Sequence, residues 1–65
     1  MKTACVVLIR DVAKGPAHLE AISTLFDKEA SAREYAKHRL NVLVTVVVDI
    51  LKIEVDDAVK LVSWV

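Results

Sequence analysis

The sequence predicts a small single α+β domain spanning residues 1–65, with one helix packed on an antiparallel sheet. Three observations carry this. Ala4-Cys5-Val6-Val7-Leu8-Ile9 is a short, continuous, β-branched run; Asp27 to Leu40 is rich in helix formers; and Val42 to Val55 is dense in valine and alternates with polar residues. Such patterning separates strands from helices by period. The expected order is strand, strand, helix, strand, with Ala58 to Val65 either a returning strand or a short last helix. An all-α fold with a long C-terminal helix is the alternative.

The first strand covers Thr3 to Val12, and its unbroken apolar centre suits a strand buried on both faces. Lys14-Gly15-Pro16 holds the only glycine and the only proline of the chain, so the turn belongs there. Ala17 to Phe26 reads in two ways. As a helix it would begin at Pro16 and align Leu19, Ile22 and Phe26 on one face. As a strand it closes a hairpin with the first segment, and we take the strand because Ala4 to Ile9 needs a neighbour.

Asp27 to Leu40 is the helix. Ala30, Ala32 and Ala36 favour it, Asp27 is the expected N-cap, and Ser31-x-x-Glu34 offers a capping box one turn later. Glu29 with Arg33 and Glu34 with His38 have the i,i+4 spacing of helix-stabilising pairs. The expected inner face is Ala32, Tyr35, Ala36 and Leu40.

Val42 to Val55 admits a helix whose polar stripe is Asn41, Thr45, Asp49, Lys52, Asp56 and Lys60. It also admits a strand with Val42, Val44, Val46 and Val48 on one face. A bulge near Asp49-Ile50 would then keep Leu51, Ile53 and Val55 inside and Lys52 and Glu54 outside. Successive valines are disfavoured in a helix because each χ1 is restricted there, so the strand is preferred, followed by a turn at Asp56-Asp57.

Composition narrows the function. Hydrophobic residues make up 55% of the chain, and nine Lys+Arg balance nine Asp+Glu. A neutral chain lacks the basic excess of most nucleic-acid binders. It also lacks the self-repulsion that keeps small proteins apart. A mean hydropathy of +0.46 in 7.2 kDa is more apolar surface than so small a domain readily hides. The expectation is a homo-oligomer, a twofold dimer, formed through Val44, Val46, Val47 and Val48. No signal peptide or membrane span is expected, because Ala4 to Ile9 is short and charged residues interrupt Leu40 to Val55. The single Cys5 fits a reducing compartment, so the expected location is cytoplasmic.

Chemistry is sparse. Cys5 lies in an apolar strand with no adjacent base. His18 and His38 have no cysteine or carboxylate cluster beside them, so neither a metal nor any other cofactor is expected. With one glycine there is no phosphate-binding loop and no nucleophile elbow. Glu54, Asp56 and Asp57 read as a solvated turn. No enzyme is expected.

Around the stretch Leu25-Phe26-Asp27-Lys28-Glu29-Ala30-Ser31-Ala32-Arg33-Glu34-Tyr35-Ala36 the chain resembles, over about a third of its length, a pattern that recurs in small proteins of bacteriophages and other mobile elements. There, an apolar-aromatic pair ends a hairpin, and a polar cap leads into a helix with Ala and Tyr-Ala inside. The resemblance implies a ββαβ order and an accessory or host-directed role, such as an inhibitor. It brings no catalytic residue, and the long valine run here departs from it.

The charges are segregated. Lys28 to Arg39 is net positive, and Asp49 to Asp57 is net negative. The expected function is a non-enzymatic protein-interaction module whose helix presents Arg33, Glu34, Lys37 and His38 to another protein. Nucleic-acid binding through Arg33, Lys37, His38 and Arg39 is the alternative.

Overall fold

A computed structural model describes residues 1–15, 17–40 and 45–65. Its elements are β1 (Lys2–Asp11), β2 (Leu19–Ala21), α1 (Glu29–Arg39) and β3 (Thr45–Val55). They form a three-stranded antiparallel sheet in the order β2-β1-β3, with α1 against one face. The α+β expectation holds, and the all-α alternative does not.

β1 is central because it is the one strand apolar on both faces. Cys5, Val7 and Ile9 turn to the helix and are buried with Phe26, Ala32 and Ala36. Ala4 and Val6 are buried on the opposite face. Ile22, Tyr35, Leu40 and Ile50 close the margins of the helix-side core. Fully burying a side chain the size of Phe26 or Val7 contributes roughly 1.5–3 kcal/mol, and both are 0% exposed.

The hairpin partner of β1 is shorter than the sequence suggests. Leu8, Ile9 and Arg10 pair with Ala21, Glu20 and Leu19, after which regular pairing stops. The Ile22 N–H still donates to the Val7 carbonyl at 2.9 Å, and pairing resumes at Phe26, which exchanges two backbone hydrogen bonds with Cys5, at 2.8 and 2.9 Å. The irregular Ser23 and Thr24 break the alternation between these points. The turn before β2 uses Gly15 at φ +130°, a conformation L side chains rarely adopt.

Helix α1 begins later than expected. Its N-cap is Lys28, which makes no side-chain capping bond. Asp27 instead accepts a hydrogen bond from the Ser31 hydroxyl at 2.9 Å. Ser31 therefore starts no capping box; it is inside the helix and fully buried. The inner face is otherwise as expected, with Ala32 and Ala36 buried and Tyr35 and Leu40 packed on the core.

β3 is an edge strand, and its bulge lies one residue before the expected place. Leu8 faces Asp49 and Ile9 faces Val47, which leaves Val48 as the extra residue. Residues directly opposite each other in an antiparallel pair share a face. Val47, Ile50, Lys52 and Glu54 thus lie on the helix side with Ile9, Val7, Cys5 and Thr3. Val46, Leu51, Ile53 and Val55 gather on one face, as the alternation indicates, but it is the face away from the helix. The expectation that Leu51, Ile53 and Val55 point into the core is corrected here. One helix covers only one face, and β1 already fills it. Val42 and Val44 lie outside the described residues.

The last segment is neither a full strand nor a helix. Val62 makes one parallel bridge to Phe26, donating its N–H to Leu25 at 2.8 Å while its carbonyl accepts from Asp27 at 3.1 Å. The chain end then reaches the helix.

Candidate functional site

The exposed side of α1 carries the four residues singled out for partner binding. Arg33 Nη2 donates to Glu29 Oε1 at 2.6 Å, and His38 Nε2 lies 3.0 Å from Glu34 Oε2. Both pairs follow from i,i+4 spacing, which brings side chains of successive turns together. They are largely solvent-exposed and fix side-chain direction more than stability.

The four residues divide between two shallow clefts. Arg33, Glu34 and His38 line one of about 480 Å³, closed by Ala30, Trp64 and Val65. Lys37 lines the other, also of about 480 Å³, where Arg33, Ala36 and Ile50 meet Val46 and Val47 of β3. Arg33 borders both. Val46 and Val47, expected in an oligomer interface, therefore sit beside the basic helix residues, and Val48 lies at the bulge. Val44, expected with them, is outside the described residues.

The wall formed by the chain end was not legible in the sequence. The backbone N–H groups of Trp64 and Val65 donate to Ser31 Oγ at 3.0 and 3.3 Å. This hydroxyl, which also donates to Asp27, ties helix, cap and chain end together. The Ser31 hydroxyl holds the Asp27 carboxyl below the ordinary aspartate range, with a smaller contribution from the Ser63 side chain. The three aromatic residues of the chain line up from core to surface. Phe26 and Tyr35 have ring centroids 5.1 Å apart, and Trp64 meets Tyr35 edge-on at 5.6 Å. The Arg39 guanidinium lies 5.0 Å from the Trp64 ring centroid, a cation–π contact. Trp64, with no periodic neighbours, gives no sequence signal of where it packs.

A second polar cluster lies by the hairpin. Glu20 Oε2 is 3.2 Å from His18 Nε2 and 3.4 Å from Lys14 Nζ. The His18 hydrogen bond, then Lys14, lowers the Glu20 carboxyl. Cys5 is a buried free thiol. Asp56 Oδ1 accepts from the Ala58 N–H at 2.8 Å, so the acidic segment after β3 is a side-chain-capped turn. Among the described residues no group of three or more His, Cys, Asp or Glu converges as a metal site, and no helix is long and apolar enough to cross a membrane. No family model, curated protein or solved structure matches the chain.

Proposed function

We propose that this protein is a non-enzymatic interaction module that self-associates and presents the Arg33–Glu34–Lys37–His38 face of α1 to another protein. The observation that carries the reading is the apolar surface left outside the core: Val46, Val47, Val48, Leu51 and Ile53 of β3 and Trp64 and Val65 of the chain end are between 37% and 59% exposed. Val47 and Trp64 leave apolar surface on the helix side, and Val46, Leu51 and Ile53 leave it on the open face of the sheet; exposed apolar residues clustered on a face mark interaction sites in soluble proteins. On the helix side Arg33 and Trp64 line one cleft, and both residue types are enriched at binding hot spots.

A protein partner is favoured over nucleic acid because two of the helix residues that would face phosphate are engaged by acids, Arg33 by Glu29 and His38 by Glu34. Carboxylates at that spacing repel phosphate but suit a mixed-charge protein surface. An accessory or inhibitory role is the form of this reading that the Leu25–Ala36 resemblance implies.

The test is affinity capture with the tagged wild-type chain and with a double variant, Arg33→Glu plus Lys37→Glu, both exposed on the helix. Wild type is expected to retain a specific protein that the variant loses, with circular dichroism unchanged. Equal capture by both would move the working surface elsewhere. Binding of oligonucleotide by wild type that collapses with added salt would support the nucleic-acid alternative.

A further inference from the structure

β3 is an eleven-residue edge strand, one side of which faces no other strand among the described residues; on it the Ile50 N–H donates to Asp49 Oδ1 at 2.7 Å. Exposed apolar edges recruit further strands unless charge, proline or a bulge blunts them. The bulge at Val48 interrupts only the first part of β3, which leaves Asp49 to Val55 as a regular edge. We propose that a second copy of this chain pairs with that edge, antiparallel and centred on Ile53, giving a continuous six-stranded sheet. This rests on the self-association reading above and specifies its surface and register.

The charges select the register. A twofold axis perpendicular to the sheet makes each strand antiparallel to its mate with faces preserved, so the axis passes beside one residue, which meets its own copy. Centring on Asp49, Lys52 or Glu54 sets like charges directly opposite each other. Centring on Ile50 or Leu51 leaves Lys52 opposite valine or isoleucine. Centring on Ile53 pairs Leu51 to Val55 of the two strands, setting Lys52 opposite Glu54 of the second copy, twice by symmetry, and Leu51 opposite Val55 on the other face; Asp49 would come opposite Asp57, which lies past the end of β3 and outside the paired segment. Among the described residues neither Lys52 nor Glu54 has an ion-pair partner within a single copy. Both are exposed on the same side of the strand, where a directly opposite partner would meet them. The helices of the two copies then lie on one face of the joined sheet, and the apolar open faces merge on the other.

The test is a charge-exchange series read by sedimentation equilibrium. Wild type is expected to dimerise. Lys52→Glu alone and Glu54→Lys alone each put like charges opposite one another and weaken the dimer roughly tenfold or more. An equimolar mixture of the two single variants restores dimerisation, because each mixed dimer regains both opposite-charge pairs; the double exchange in one chain restores it as well. Under mild oxidation Ile53→Cys cross-links to its own copy, since directly opposite Cα atoms lie within disulfide reach. Leu51→Cys does not, because the two copies of residue 51 stand roughly 13 Å apart along the strands. Buried Cys5 does not compete. Single variants that dimerise like wild type, a mixture that fails to restore, or cross-linking at 51 instead of 53 would overturn this register and leave self-association standing. A wild-type chain that stays at its 7.2 kDa monomer mass would overturn both.

Discussion

Replacing Ser31 with alanine tests whether the chain end is part of the fold. The hydroxyl is fully buried and has three partners: it donates to Asp27 Oδ1 and accepts from the Trp64 and Val65 N–H groups. Alanine keeps the helix and nearly the volume, so the loss is that of the hydrogen bonds. Each ordinary bond is worth about 1 kcal/mol net. The Asp27 bond is discounted because that carboxylate is exposed and water can replace the hydroxyl. The expected destabilisation is therefore about 2 kcal/mol, a large part of the roughly 3–5 kcal/mol available to a domain of this size. At about 4–8 °C per kcal/mol, the melting midpoint should fall by roughly 8–16 °C. Trp64 is the only tryptophan, so its fluorescence reports the docking directly. Release from Tyr35 and Arg39 should shift its emission to the red below the melting transition. The assay is a thermal melt followed by circular dichroism and by tryptophan emission at one fixed protein concentration. A midpoint within about 2 °C of wild type with unchanged emission would mean that the chain end does not dock through Ser31.

Two further outcomes follow from the same geometry. Asp27 and Glu20 are held below their ordinary values, so each contributes stability that is complete above the normal carboxylate range and is lost as pH falls through the lowered folded value. Denaturant midpoints should therefore drop below about pH 4, and the gap between wild type and Ser31→Ala should narrow there, because protonating Asp27 removes the charged acceptor of the Ser31 hydroxyl; a gap constant to pH 2 would contradict the assignment. Gly15→Ala meets no atom within 4 Å, so its whole effect is backbone strain at φ +130°. It should cost roughly 1–3 kcal/mol, seen as a lower urea midpoint with an unchanged slope, and a neutral result would mean that the turn relaxes.

Local signals that depend only on near neighbours were legible in the sequence. The apolar run Ala4 to Ile9 identified the central strand, because only a strand covered on both faces dispenses with polar alternation. Alanine spacing gave the inner face of the helix, and i,i+4 spacing gave the pairs Glu29–Arg33 and Glu34–His38, since both are consequences of one helical period. The alternation after Val42 indicated a strand with a phase change, and the residues Val46, Leu51, Ile53 and Val55 do share a face.

Which face that is, only the tertiary structure decided. Alternation states that two sides differ, not which side the helix takes, and β1 with Phe26 had already filled the space under α1. Ser31 looked like a capping residue because Ser-x-x-Glu is locally indistinguishable from a cap. Its burial and its bonds to Trp64 and Val65 span more than thirty positions of sequence. The clefts that gather Arg33 with Trp64 on one side and with Val47 on the other exist for the same reason. They are made by packing between segments that carry no mutual signal until the sheet brings them together.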